Sequence, residues 1–302
     1  MKIGLLGLIA SDLSDVDYNK IRWATELGFH GLGAHLTVPA RAISDETAAR
    51  VPAIFAEQNM PFMQLWGPYP CIVSPDESTR RAGVEGARAL VRLASKMGVP
   101  ESGVRPTSLS PRGDWVPHPD NYKPETEDRL VRSLVEILET AEESGVDVVL
   151  ETHVTTTLYS AEVIRRVIER AGSQRLKLNL DPCNFVGDLP TAFNPTPLIN
   201  HLFDLLAPYI ATVHLKDYYL EDRFVVHISE TVIGLGMMDI ATVLRRLYDA
   251  KPDGYVVIEH LPVNLIPLAK QNLTAKIREL GLPLNPHLQA QSANTSTPAA
   301  KP

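Results

Sequence analysis

The chain alternates between short apolar runs and longer segments with helical periodicity, and this alternation constrains its fold more than any other feature. Runs such as residues 146–150 are almost continuously apolar, which is typical of strands covered on both faces of a parallel sheet. Such strands alternating with helices predict an α/β protein, a (β/α)8 TIM barrel, with an open doubly wound sheet as the alternative. The GxGxxG motif of that alternative is missing from the sequence. The predicted strands are Lys2–Gly7, Gly31–His35, Phe62–Trp66, Gly103–Thr107, Val146–Glu151, Leu176–Asp181, Ile210–Lys216 and Gly254–Glu259.

The domain organisation follows from the length of 302 residues, since one barrel needs roughly 250. We expect a single catalytic domain over residues 1–281. Residues 282–302 lack apolar content and are expected to form a disordered C-terminal tail. A second irregular stretch, Pro100–Lys123, contains five prolines and is predicted to be a long loop that covers the barrel mouth.

Charge and composition restrict the partners and the compartment. A net charge of −7 disfavours nucleic acid and anionic membranes, both of which need a basic surface. No apolar stretch is long enough to span a bilayer, and the run Met1–Ala10 is interpreted as a buried strand rather than a signal peptide. The two cysteines form no CxxC pair, which favours the cytoplasm. The sequence leaves open a homo-oligomer.

Ionisable residues end four consecutive predicted strands. Glu151, Asp181 and Glu259 end strands five, six and eight, and His214 lies near the end of strand seven. Because active sites of such barrels lie at the C-terminal ends of the strands, the four side chains should converge at one side of the mouth. Three buried carboxylates repel one another, and a divalent cation would offset that repulsion.

The predicted ligand set therefore consists of three carboxylates and one imidazole, which predicts one bound divalent metal ion. Oxygen-rich sites of this kind favour Mn²⁺, with Mg²⁺ and Co²⁺ as alternatives, over thiolate-rich zinc or copper sites. The competing interpretation is that these residues are ordinary strand-end charges, capped by helices or paired with lysines such as Lys177 and Lys216.

Strand alternation adds two residues that face the same mouth. His153 lies two positions after the glutamate of strand five, and Lys216 two positions after the histidine of strand seven. Both are candidates for binding a hydroxyl or carbonyl group of the substrate. The alternative for His153 is a supporting hydrogen bond, and for Lys216 a salt bridge to Asp217 or Asp181.

Three further side chains are candidate substrate contacts. The Asn184 amide follows a turn stiffened by proline and suits a sugar hydroxyl. Arg105, at the predicted end of strand four, suits an anionic or hydroxylated group, unless it pairs with a neighbouring acid. Trp66, at the end of strand three, suits stacking on a sugar ring, although packing under a loop is an equal alternative.

These residues lie in motifs that resemble the xylose isomerase-like barrels, in particular the sugar phosphate isomerase/epimerase group that includes ketose 3-epimerases. The resemblance covers most of residues 1–281 and implies that the four strand-end residues bind the metal and that Glu151 and Glu259 also move protons. Asn184 stands where those epimerases tend to carry a histidine. The resembling motifs are Leu150-Glu151-Thr152-His153, Leu180-Asp181-Pro182-Cys183-Asn184, Val213-His214-Leu215-Lys216-Asp217, Ile258-Glu259-His260 and Gly234-Leu235-Gly236-Met237-Met238-Asp239.

The resemblance implies a metal-dependent sugar isomerase or epimerase of carbohydrate metabolism, acting by proton abstraction next to a carbonyl through an enediolate. The alternative is a lyase on the same scaffold, such as a keto-inositol or dehydroshikimate dehydratase or an enzyme that cleaves C-glycosides of oxidised sugars. A DNA-repair endonuclease on this barrel would need a basic groove, against the net charge of −7. A non-catalytic sugar-binding barrel would be favoured by loss of a ligand, and the sequence retains all four.

Overall fold

Ten strands and nine α-helices are described in the computed structural model, which covers residues 1–284. The strands are β1 (Lys2–Ser11), β2 (Gly31–Leu36), β3 (Phe62–Trp66), β4 (Glu101–Val104), β5 (Asp147–Glu151), β6 (Leu176–Leu180), β7 (Ile210–Leu215), β8 (Asp217–Leu220), β9 (Ile228–Thr231) and β10 (Tyr255–Ile258). The helices are α1 (Tyr18–Glu26), α2 (Asp45–Glu57), α3 (Glu77–Lys96), α4 (Pro124–Ser144), α5 (Ala161–Ala171), α6 (Leu189–Phe193), α7 (Thr196–Leu206), α8 (Ile240–Ala250) and α9 (Ile266–Glu279).

Eight of the strands close into a parallel barrel in the order β1-β10-β7-β6-β5-β4-β3-β2. The predicted (β/α)8 barrel is therefore confirmed, and the doubly wound alternative is wrong. The apolar run at the N-terminus is β1, as interpreted from the sequence. The main hydrophobic core lies between the strands and the surrounding helices, because a parallel barrel buries both faces of each strand.

The barrel interior also contains polar side chains. Nε2 of Gln64, on β3, donates a hydrogen bond to Oγ1 of Thr212, on β7, at 3.0 Å. These strands are not neighbours in the barrel, so the bond crosses the interior. Nε1 of Trp66 donates to Oε1 of the same glutamine at 3.2 Å. The polar groups below the mouth therefore help to orient the indole that forms its floor.

Two features differ from the sequence prediction. Strand β4 spans Glu101–Val104 rather than 103–107, so Arg105 follows the strand instead of ending it. Pro106 has no N–H for the strand ladder, which explains the earlier end. The hairpin of β8 and β9 was not predicted. Its signal is weak, since two strands of four residues joined by a seven-residue connection resemble an ordinary loop.

The structure describes the whole of the predicted loop and the first three residues of the predicted tail. The segment 105–123 has no strand or α-helix, only a 3₁₀ turn at Pro119–Tyr122, as expected for a loop. The amino group of Met1 donates to the carbonyl of Pro283 at 3.0 Å, so residues 282–284 still contact the barrel. The rest of the predicted tail lies outside the described residues. Within residues 1–284, no helix is both long and apolar enough to cross a membrane.

Candidate active site

The four ionisable residues predicted from the strand ends lie at the C-terminal mouth of the barrel. Glu151 is the last residue of β5, Asp181 and Glu259 directly follow β6 and β10, and His214 lies on β7. All four are buried, and the most exposed, Glu151, retains only 6% of its accessible surface. Their charges are consequently shielded from water and depend on one another.

Three of the four form a group with the spacing of a metal site. Ligand atoms of Glu151, His214 and Glu259 lie within 4.8 Å of one another. Nδ1 of His214 lies 2.8 Å from Oε2 of Glu259. Within residues 1–284 neither ring nitrogen of His214 has a partner at hydrogen-bonding angles. Because a buried imidazole nitrogen without such a partner is costly, this arrangement fits a divalent cation.

Asp181 is outside that group and contacts Lys216 instead. The Lys216 ammonium nitrogen lies 2.7 Å from Oδ2 of Asp181 and 2.7 Å from Oε1 of Glu259, so a single ammonium separates the two carboxylates. These contacts are ion pairs at angles unsuitable for hydrogen bonds. The predicted salt-bridge alternative for Lys216 is therefore present, with Asp181 as its partner.

The two glutamates differ in their electrostatic surroundings. Burial, together with the charge of Glu259, raises the pKa of Glu151 to about 7. Burial alone would also raise the pKa of Glu259, but His214 and Lys216 lower it well below its usual value. Glu259 is therefore the more readily ionised member of the pair, whereas Glu151 forms no ion pair within residues 1–284.

Burial and charged neighbours also shift the pKa values of the other ionisable groups of the site, Asp181, His214 and Lys216. Burial raises the pKa of Asp181 despite the nearby ammonium. Burial would lower the pKa of His214 and of Lys216, yet the surrounding carboxylates raise both. The raised pKa values of His214 and Lys216 reflect the carboxylates that surround them, and a divalent cation would interact favourably with the same carboxylates.

The imidazole of His153 lies near this cluster with a defined orientation. Its Nδ1 accepts a hydrogen bond from the backbone N–H of Thr155 at 3.2 Å. Burial and the positive charge of Lys216 lower the pKa of His153 to about 4, so the ring is neutral. Oγ1 of Thr155 also lies 2.9 Å from Nδ1. With Nδ1 as the acceptor of the Thr155 N–H, the neutral ring carries its proton on Nε2, which makes that nitrogen a hydrogen-bond donor.

The loop of residues 105–123 packs against the His153 side of the mouth. The ring of Trp115 lies 6.0 Å from that of His153, and the Trp115 carbonyl accepts from Oγ1 of Thr155 at 2.9 Å. The Tyr122 hydroxyl donates to the carbonyl of Val154 at 2.9 Å. The loop therefore forms one wall of the site.

Arg105 lies at the start of this loop. Its guanidinium pairs with Asp114 at 3.1 Å and lies over the ring of Tyr69, 4.8 Å from the centroid. Nε of Arg105 is buried without a hydrogen-bond partner among the described residues. The predicted pairing with a loop acid is present, and one N–H of the guanidinium remains unused.

Trp66 lies below the site rather than beside it. It is only 3% exposed, and its ring centroid lies 6.0 Å from that of His214 and 5.7 Å from that of His35. Packing, one of the two interpretations of the sequence, describes it better than stacking on a sugar. His35 adds a buried Nε2 without a partner in residues 1–284, close to the same residues.

The amide of Asn184 is engaged at both ends. Its Nδ2 donates to the carbonyl of Thr152 at 3.1 Å, and its Oδ1 accepts from the Lys216 ammonium at 3.2 Å. The second N–H of Nδ2 and the second lone pair of Oδ1 can each form a further hydrogen bond, so the contact with a sugar hydroxyl stays a prediction. Asn184 thus links Thr152, the residue that follows β5, to the ammonium of Lys216.

Asp217 has a supporting role that the motif alone did not reveal. Its buried carboxylate accepts hydrogen bonds from the backbone N–H groups of Gly234, Gly236 and Met238. A Cβ on Gly236 would lie 2.3 Å from Oδ1 of Asp217, which explains the glycine. These bonds fix the loop that follows the β8–β9 hairpin. The hairpin carries Glu230, whose carboxylate lies 3.2 Å from Nδ1 of His260 at the rim of the mouth.

Comparison with known proteins gives one family and a common fold. The family model described as "Xylose isomerase-like TIM barrel" matches residues 21–280. No curated protein sequence matches the chain. A D-tagatose 3-epimerase-like protein is 20% identical with a TM-score of 0.72, over 93% of this chain and 98% of that one.

Two further solved structures have the same fold. A xylose isomerase-like TIM barrel protein from Mycobacterium smegmatis, in complex with magnesium, is 18% identical with a TM-score of 0.70, over 92% of this chain and 96% of that one. An L-ribulose 3-epimerase is 17% identical with a TM-score of 0.70, over 100% and 99% of the two chains. At these identities the likeness concerns the fold.

Proposed function

The chain belongs to the xylose isomerase-like TIM barrel family, and we propose that it is a divalent-metal-dependent isomerase or epimerase of a sugar or polyol. The observation that carries the proposal is the convergence of Glu151, His214 and Glu259 at the barrel mouth, with ligand atoms within 4.8 Å of one another. The names of two solved structures with this fold, a D-tagatose 3-epimerase-like protein and an L-ribulose 3-epimerase, support a sugar as substrate.

The proposed metal ligands are Glu151, His214 and Glu259, with Asp181 as the fourth. The donor set of oxygens and one imidazole favours Mn²⁺, with Mg²⁺ and Co²⁺ as alternatives, and a protein with this fold has been solved with magnesium. When bound, the cation supplies a Lewis acid that polarises a carbonyl and acidifies the adjacent C–H.

Glu151 and Glu259 are the proposed proton-moving pair. Their strands, β5 and β10, are separated in the barrel by β6 and β7, so the carboxylates approach a bound substrate from different directions. One carboxylate removes the proton from the carbon next to the carbonyl, and the electron pair moves to the carbonyl oxygen to form an enediolate. The other glutamate carries a proton at the start and gives it to the opposite face, which inverts that carbon. Glu151, whose pKa is raised to about 7, is the member of the pair suited to this second role.

The remaining side chains of the mouth would position the substrate. The Nε2–H of His153 is oriented by its bond to Thr155 and can donate to a hydroxyl or carbonyl oxygen. The unused Nε–H of Arg105 offers a second donor beside the loop wall. The buried indole of Trp66 closes the floor and excludes water from the reacting carbon.

A lyase is the second candidate, and the buried ammonium of Lys216 is the observation that favours it. In a lyase the same proton is removed, but the electron pair forms a carbon–carbon double bond as a β-hydroxyl or glycosidic group leaves. The leaving atom, an oxygen in a dehydratase or the aglycone carbon in the cleavage of a C-glycoside, would take its proton from Lys216 or His153. Keto-inositols, dehydroshikimate and C-glycosides of oxidised sugars are substrates of the required kind.

The test is a screen of ketoses, keto-inositols and oxidised glycosides with Mn²⁺ in D₂O, followed by NMR. An isomerase or epimerase should place deuterium on the carbon next to the carbonyl, whereas a lyase should release a distinct product. Glu151→Gln and Glu259→Gln should abolish turnover, while Glu125→Gln, on the exposed first turn of α4, should not. Product without deuterium, formed by direct transfer of the substrate hydrogen, would contradict the glutamate mechanism.

A further inference from the structure

The ammonium of Lys216 is held by carboxylates of the site and is not left free to bind a substrate. Its ammonium lies between two carboxylates, 2.7 Å from each of Asp181 and Glu259, and the residue is only 5% exposed. A long, flexible side chain loses considerable freedom when it is fixed in this way. Such an arrangement is stable because the ammonium offsets charges that burial would otherwise make very unfavourable.

The position of the ammonium is also prepared by neutral groups. Oδ1 of Asn184 accepts from it at 3.2 Å, and the same amide is held by the carbonyl of Thr152. Two imidazoles also approach Glu259, His214 at 2.8 Å and His260 at 3.9 Å. Arg105 pairs instead with Asp114, and burial lowers the pKa of His35 to about 4. We call Glu151, Asp181 and Glu259 the carboxylate cluster. Among the lysines and arginines of residues 1–284, only Lys216 forms ion pairs with this cluster.

We propose that Lys216 is a built-in counter-ion of the carboxylate cluster, and that the divalent cation binds in exchange for its ammonium at Glu259. The inference rests on the proposed metal-dependent function. Oε1 of Glu259 contacts the ammonium, and Glu259 also belongs to the group with metal-site spacing. Two cations cannot share that carboxylate at close range without strong repulsion. The lysine therefore stabilises the metal-free fold and weakens metal binding at the same time.

This role predicts opposite effects on stability and on metal affinity. Lys216→Met removes the charge and keeps most of the apolar stem. The metal-free variant should melt about 5 °C or more below the wild type, because three buried carboxylates lose their counter-ion. Calorimetric titration with MnCl₂ alone should show a Kd about tenfold or more below that of the wild type, because the repulsion is gone. Saturating Mn²⁺ should raise the melting temperature of the variant more than that of the wild type.

Two further variants isolate the effect. Lys177→Met removes the same charge from β6, where Lys177 lines a surface groove with Glu169 and Tyr209, and should change neither the melting temperature nor the Kd. Lys216→Arg keeps the charge and should bind Mn²⁺ no more tightly than the wild type. If Lys216→Met fails to fold without metal, its refolding yield with and without MnCl₂ gives the same comparison, and rescue by Mn²⁺ supports the exchange.

The outcomes separate the inference from the proposed function. If the wild type binds Mn²⁺ and Lys216→Met binds it no more tightly, the exchange is wrong while the metal site stands. If neither protein binds Mn²⁺, both the exchange and the metal-dependent function are wrong. Tighter binding by Lys216→Met together with a lower melting temperature of its metal-free form would establish the exchange.

Discussion

The indole of Trp66 fills the space that a side chain on Gly103 would need, since a Cβ there would lie 2.0 Å from Cδ2 of the ring. Adjacent strands of a parallel barrel rarely bring a backbone so close to an aromatic ring unless a glycine is present. Because Gly103 has no side chain, the indole can lie beneath Glu151, His214 and Glu259. Its ring centroid is 6.0 Å from that of His214.

Gly103→Ala should consequently lower the free energy of unfolding by about 3 kcal/mol, the cost of forcing extra volume into a packed core. Chemical denaturation followed by tryptophan fluorescence measures this, and the emission of the native state should shift as the indole moves. Gly187→Ala is the matched control, because a Cβ at that position meets no atom within 4 Å among the described residues. Equal stability of the two variants would show that Trp66 has room to move aside.

Replacement of Asp217 should lower the free energy of unfolding about as much as Gly103→Ala does. Asp217→Asn puts an amide N–H₂ where backbone N–H groups of Gly234, Gly236 and Met238 need acceptors. The expected loss is about 3 kcal/mol, typical of buried hydrogen bonds to a charged group. Limited proteolysis should also cut the variant between residues 218 and 238, whereas the exposed control Asp222→Asn should resist as the wild type does. Unchanged stability and cleavage would show that the carboxylate does not hold this loop.

A pH dependence of stability follows from His30, which lies far along the chain from the site residues. Its Nδ1 accepts from the backbone N–H of Ile3 at 2.9 Å, and burial, with Lys270, lowers its pKa to about 4. The unfolded chain takes up this proton at its ordinary pKa of about 6.5, so the stabilising contribution is complete above that pH and is lost as the pH falls towards 4.

His30→Asn keeps an acceptor without a titrating group. Between pH 7 and pH 5 the wild type should lose about 1 kcal/mol more unfolding free energy than the variant, after allowance for partial exposure of the ring. His35 and His153, whose pKa values are also lowered to about 4, are present in both proteins and cancel in the comparison. Parallel curves for the two proteins over this range would contradict the assignment.

His153 tests the division between metal binding and substrate binding. His153→Phe keeps an aromatic ring against Trp115 but removes the Nε2–H donor. KM for the substrate found in the screen should rise about tenfold, which corresponds to the free energy of one to two lost hydrogen bonds. The Kd for Mn²⁺ should stay unchanged. His201→Phe, at an exposed position on α7, should leave both quantities unchanged. Loss of Mn²⁺ binding in His153→Phe would show instead that this ring belongs to the metal centre.

Much of the barrel could be predicted from the sequence because its signals are local. Most barrel strands are short runs rich in apolar residues, and the ends of those runs place Glu151, Asp181 and Glu259 at one mouth through the geometry of parallel strands alone. The β8–β9 hairpin was missed because its strands have only four residues each and are joined by a seven-residue connection without a turn motif. The bounds of β4 were misplaced because its first residues, Glu101 and Ser102, are polar, and because Pro106 has no N–H for the ladder.

The side-chain partners could not be predicted, because they depend on contacts between distant strands. Lys216 directly follows β7 and reaches Asp181 and Glu259 from there, and no spacing in the sequence distinguishes this conformation from a pair with the adjacent Asp217. The two partners of Asn184, Thr152 and Lys216, each lie 32 positions away along the chain, so no local pattern in the sequence reveals them.

The most direct test of the metal-dependent function is anomalous diffraction from crystals of the protein grown with MnCl₂, recorded near the manganese edge. We predict one strong peak per chain, among the side chains of Glu151, His214 and Glu259, and its loss in crystals of His214→Ala. A map with no peak at the barrel mouth, or with its peak at another site, would contradict the metal centre on which the proposed chemistry depends.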